Sequence, residues 1–159
     1  MNSEMNRRQF VAGMGAAAAL TLARPAQLRA APTAPVAVAR CKDYGPGYLA
    51  AMEKMFDQLG GIGRIVKGKT VTVKINLTGQ AYYRLGFLSA GRAHWNHPQT
   101  IAATVHLLEK AGAKRIRVVE GAFAWPDSLE EFMYTAGWDP KLILGAARNV
   151  ELINTNLPY

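Results

Sequence analysis

Lys74 and Asn76 stand two residues apart near the end of a run, Thr70 to Asn76, in which Val71, Val73 and Ile75 alternate with Thr72, Lys74 and Asn76. On a β-strand this alternation puts an ammonium and a carboxamide on one face and the aliphatic side chains on the other. Those two groups together could hold a carboxylate or phosphate oxygen. Glu120 closes a second apolar run, Lys114 to Glu120, and is the candidate general base or metal ligand, with Lys74 as its companion in a catalytic reading. The plain alternative is a Lys74–Glu120 ion pair on a solvated sheet face, with the asparagines capping loops. Asn154, followed by Thr155 and Asn156, ends a third run and joins the candidate ligand contacts. His94 and His97, three apart and flanking Trp95, would make a metal set with Glu120. Their spacing is not the i, i+4 pair of a helical zinc motif, and a helix-start role for His97 competes with ligation.

These groups need elements to hold them. Val36 to Arg40 reads as a first strand, and Tyr48 to Leu59 as an amphipathic helix with Leu49, Met52, Met55, Phe56 and Leu59 on one side. Gly60 and Gly61 end that helix, so the glycine cluster there is not a dinucleotide fingerprint, which follows a strand and opens a helix. After the strand ending at Asn76 come about twenty residues, Leu77 to Asn96, without periodicity but rich in aromatics. Tyr82, Tyr83, Arg84 and Arg92 in this loop could close over an anionic ligand. Pro98 suits a helix start and Ile101, Val105, Leu108 and Ala111 its apolar stripe. Ser128 with Glu131 forms a capping-box pattern for a helix to Gly137, and Asp139-Pro140 opens another to about Ala147. Strands alternating with helices at this spacing predict an α/β fold, a mainly parallel sheet with flanking helices in a three-layer, Rossmann-like arrangement. In such sheets ligands bind beyond the carboxyl ends of the strands, where Lys74, Asn76, Glu120 and Asn154 fall. A chain that stops directly after a strand reads as a domain incomplete at its C-terminus.

At 159 residues and 50% hydrophobic content there is material for one ordinary core. The formal charge of +8 is spread without a dense basic run, which argues against a nucleic-acid surface. Cys41 is the only cysteine, so this chain cannot ligate an iron–sulfur cluster through its own thiols, and Cys41 is expected to be buried and inert. Arg7, Arg8 and Phe10 precede a weakly apolar, Ala-rich stretch, Val11 to Ala23, closed by Arg24-Pro25. That pattern resembles a twin-arginine (Tat) signal peptide over residues 1–30, followed by a Pro/Ala linker at 31–35 and the domain at 36–159. The resemblance implies passage through the Tat translocase to a periplasmic or other extracytoplasmic space. The stretch is too short for a stable membrane span.

Val36 to Tyr44 (VAVARCKDY), Leu59 to Gly61, Val66 to Gly79 (VKGKTVTVKINLTG), Leu107 to Gly121 (LLEKAGAKRIRVVEG) and Asn149 to Asn154 together resemble family 362 of the domains of unknown function. Some members of that family carry twin-arginine signals and others ferredoxin-like cysteine motifs, which this chain lacks. Where members show an acidic residue before the helix-starting proline, this chain has His97. The resemblance implies an exported, uncharacterised protein, and the strand-end residues themselves lead to the expectation that it binds an anionic small molecule through Lys74, Asn76, Arg84, Arg92 and Asn154. The alternatives are an accessory redox protein working with an iron–sulfur partner, and a non-functional domain fragment.

Overall fold

Residues 34–121 and 126–157 are described by the computed structural model, and the arginine motif of Arg7, Arg8 and Phe10 lies outside them. The chain divides into Met1–Pro35 and a unit spanning Val36–Tyr159, and only the second concerns the candidate residues. In chain order the elements are α1 (Gly47–Gln58), α2 (Gly63–Val66), β1 (Thr70–Lys74), β2 (Arg84–Leu85), β3 (Leu88–Ser89), α3 (Ala90–Ala93), α4 (Pro98–Lys110), β4 (Arg115–Glu120), α5 (Leu129–Thr135), α6 (Pro140–Leu144) and β5 (Val150–Asn154).

β1, β4 and β5 form a parallel sheet in the order β1-β4-β5, with Val73 beside Val118 and Val118 beside Leu152. Parallel neighbours need crossover connections, which α4 supplies between β1 and β4, and α5 with α6 between β4 and β5. The expected α/β class with a mainly parallel sheet and flanking helices is therefore observed. Ile101, Val105 and Leu108 of α4, Leu129 and Met133 of α5, and Ile143 of α6 pack with Ile116 and Val118 in the main core. Val71, Val73, Val150 and Leu152 border that core from the same sheet face. Thr72, Lys74, Arg117, Val119, Glu151 and Ile153 on the opposite face join neither apolar cluster, so the third layer of the expected arrangement is not among the described residues.

Local chemistry sets the element ends. His97 caps α4 by accepting from the Gln99 N–H through Nδ1, Pro98 fills the first turn, and Gly112 at φ +90° turns the chain away after it. Ser128 caps α5 and Asp139 caps α6, as their sequence patterns predict, although α6 stops at Leu144, before the expected Ala147. α1 lies along α4 through Met52, Ala103 and Leu107, with Met55 and Phe56 beside them, so these methionines are core filler. Tyr48 Oη and Thr100 Oγ1 share a hydrogen bond of 2.8 Å near one end of this contact, and Lys110 pairs with Glu53 near the other.

One expected strand is not observed. Val36 to Arg40 is not a strand: no sheet edge pairs with it, and Val36 and Val38 are more than four-fifths exposed. With alanine at every second position the segment has little side-chain area with which to hold an edge. The loop from Leu77 to Asn96, without periodicity in its sequence, contains the β2–β3 hairpin and the single turn α3.

Ile143 is fully buried, so Ile143→Ala removes core contacts that no neighbour can replace. Urea unfolding should show a loss of about 2–5 kcal/mol with an unchanged m-value.

Candidate functional site

The carboxyl ends of β1 and β4 are joined by one side chain. Glu120 is 3% exposed, and its Oε2 accepts the Leu77 N–H at 2.8 Å. Its Oε1 accepts the Gly121 N–H at 2.9 Å and the Lys74 ammonium at 2.6 Å. Lys74 also donates to the Ile75 carbonyl at 2.6 Å. The pair is unequal in burial: the Lys74 side chain is 62% exposed and that of Glu120 is 4% exposed. A buried carboxylate is tolerated when its lone pairs are filled, and here two backbone amides and an ammonium fill them. An ammonium has three donors, and two of those of Lys74 are used.

Asn76 is engaged by its neighbours. Its Nδ2 donates to the His94 carbonyl at 2.6 Å and its Oδ1 accepts the Thr78 N–H at 3.3 Å. Its backbone N–H meets Asn96 Oδ1 at 2.6 Å, and its carbonyl accepts the Asn96 N–H at 3.0 Å. Asn76 and Asn96 thus clamp the two ends of the aromatic loop, and Trp95 Nε1 adds a bond to the Thr78 carbonyl at 2.7 Å. Asn154 is likewise engaged, with Nδ2 on the Asp127 carbonyl and Oδ1 on the Asn156 N–H. Asn76 and Asn154, the expected ligand contacts, thus each hold a loop through hydrogen bonds to backbone groups. Arg84 and Arg92 are exposed on the same loop and form no ion pair among the described residues.

The metal set does not assemble: among the described residues no group of three His, Cys, Asp or Glu side chains could hold a metal ion. His97 spends Nδ1 on its cap and stacks on Tyr44, with ring centroids 3.5 Å apart and planes within 2°. His94 stands edge-on to Trp95, and Glu120 already serves its three donors. Cys41, expected to be buried, is exposed and donates from Sγ to the Asp43 carbonyl at 3.0 Å. The segment that carries it has no sheet partner that would cover it.

Nothing in the residue pattern singles out Asn96 or Gly121. A Cβ at Gly121 would lie 2.8 Å from Thr155 Oγ1 and 3.1 Å from Asn156 Oδ1, so glycine allows the ends of β4 and β5 to approach. A cavity of about 530 Å³ between α1, α4 and α6, lined by Tyr44, Tyr48, Gln99 and His106 among others, was equally without a sequence signal. None of Lys74, Asn76, Glu120 and Asn154 lines it. The chain matches no family model, no curated protein and no solved structure.

Removing the buried acceptor should cost more than removing its exposed partner. Glu120→Gln leaves one oxygen where two served three donors and should lower unfolding free energy by about 2–4 kcal/mol. Lys74→Met should cost less than about 1 kcal/mol, because solvent already screens the ammonium. Chemical denaturation of both variants tests the order, and equal losses would contradict it.

Burial holds His97 below the usual histidine range. A lowered native pKa means that the unfolded chain binds the proton more readily, so this contribution is full above about pH 6.5 and is lost as pH falls through the native value. His97→Asn keeps a capping acceptor without the titration. Thermal midpoints between pH 7.5 and 5 should fall less for the variant than for the parent, and parallel curves would exclude His97 as the cause.

Proposed function

We propose that this chain is an exported binding protein that resembles family 362 of the domains of unknown function and takes an anionic small molecule at the carboxyl ends of its parallel sheet. Its first residues would carry it through the Tat translocase to a periplasmic or other extracytoplasmic space. The observation that supports the reading is the state of Lys74. Glu120 and the Ile75 carbonyl fix the ammonium in place, its side chain stays largely exposed, and one donor remains for an incoming oxygen. A positioned cation loses little freedom on binding, which favours affinity for a carboxylate or phosphate group. Arg84 and Arg92 on the following loop add positive charge without carboxylates to neutralise them. Asn76 and Asn154 shape the site from beneath. The role of Glu120 in this reading is to position Lys74, and catalysis by the pair is not required.

Thermal unfolding in low salt with phosphate, sulfate and di- and tricarboxylates is the test. A ligand at about a hundred times its Kd should add about 2.7 kcal/mol, a rise of several degrees in Tm. Lys74→Met should abolish the rise and Arg92→Ser should reduce it. A rise that persists unchanged in Lys74→Met would sink the proposal.

A further inference from the structure

The aromatic loop carries an apolar tip that none of the described residues covers. β2 and β3 pair Leu85 with Leu88, leaving Gly86 and Phe87 as a two-residue turn. Gly86 has φ +62°, the conformation that lets the strands reverse so tightly. Phe87 is 95% exposed, Tyr82 75% and Leu85 66%, with Leu88 and Tyr83 also exposed. Scattered single apolar residues on a surface are ordinary, but several on one hairpin mark an interaction site.

The foot of the hairpin is held by several hydrogen bonds. Asn76 and Asn96 clamp the loop ends, Trp95 bonds across to Thr78, and Ala90 at the start of α3 is fully buried. Tyr83 packs close over Gly79, where a Cβ would lie 2.9 Å from the ring. A rigid base therefore presents a greasy turn, so presenting it costs little ordering on contact.

Charge identifies the partner. From Leu77 to Asn96 there is no aspartate or glutamate, while Arg84 and Arg92 are both exposed. Arginines beside exposed tyrosine, phenylalanine and leucine form a combination suited to the boundary between anionic headgroups and acyl chains. Aromatic rings favour that depth, and guanidinium groups pair with lipid phosphates. No helix among the described residues is long and apolar enough to cross a membrane. We infer that the β2–β3 hairpin is a membrane-docking finger: Phe87, Leu85 and Tyr82 enter the interface of an anionic bilayer while Arg84 and Arg92 hold its phosphates. The association is peripheral and reversible, since so small an apolar area gives modest binding unless charge adds to it. The inference shares Arg84 and Arg92 with the small-molecule reading, but Lys74 is not part of the finger.

Co-sedimentation of the full chain with vesicles tests it. Vesicles containing phosphatidylglycerol should retain the protein, pure phosphatidylcholine vesicles should retain much less, and added salt should release it. Phe87→Ser should weaken binding by roughly tenfold, the expected effect of losing one inserted ring. Arg84→Ser with Arg92→Ser should remove most of the preference for anionic lipid. Lys74→Met should leave vesicle binding intact, which separates this result from failure of the ligand site. All these positions are exposed on their side chains, and unchanged thermal midpoints will show that the variants fold. Absence of binding to phosphatidylglycerol vesicles would overturn the inference. So would binding that survives both the Phe87 and the arginine substitutions, since another part of the chain would then be responsible. Self-association abolished by Phe87→Ser, without vesicle binding, would assign the tip to a second copy instead and equally overturn it.

Discussion

The carboxyl end of the sheet depends on one buried carboxylate. Glu120 takes the Leu77 N–H, the Gly121 N–H and the Lys74 ammonium, and so ties the exit of β1 to the exit of β4. Its own carbonyl accepts the Thr155 N–H just after β5. All three strand exits thus meet at one residue. A carboxylate held this deep relies on its donors, two of them backbone amides, so the exits of β1 and β4 are coupled through it. The long loop after β1 starts from Leu77, which is itself buried, and inherits its direction from that bond.

The rest of the loop builds on that start. Asn76 and Asn96 exchange bonds through side chain and backbone, and the chain between them is returned to the point where α4 begins. His97 then serves as the cap, and its stacking on Tyr44 ties the segment before α1 to the same corner. In this way a loop of some twenty residues has a hydrogen-bonded foot and an exposed hairpin turn.

Charge is handled differently on the two parts of the sheet. On the open face Glu151 serves both Arg115 and Arg117; burial pushes its carboxyl up, but hydrogen bonds from Arg117 and Arg115 more than offset that and leave it below the usual range. Glu109 is lowered by the backbone and side chain of Arg148, which fastens the end of α4 to the approach to β5. These pairs are exposed and contribute little stability. They orient chains more than they hold them.

The residue pattern alone determined the crossover helix α4, both capped helices α5 and α6, and the strands β1, β4 and β5. In each case a local period coincided with a local cap or breaker: Pro98 with the Ile101, Val105 and Leu108 stripe, Ser128 with Glu131, and the alternation through Val71 and Val73. It also marked Lys74 and Glu120 as strand-end groups that might meet. Tertiary structure decided what those groups do. Whether Glu120 faced solvent or took the Leu77 amide depended on a residue 43 positions away, which no local period encodes. The same holds for Asn76 and Asn154, whose amides found backbone partners once loops folded over them, and for His94 and His97, which proximity in sequence did not bring to a common ion. Val36 to Arg40 had the alternation of a strand without a partner edge, and pairing is a property of two segments, never of one.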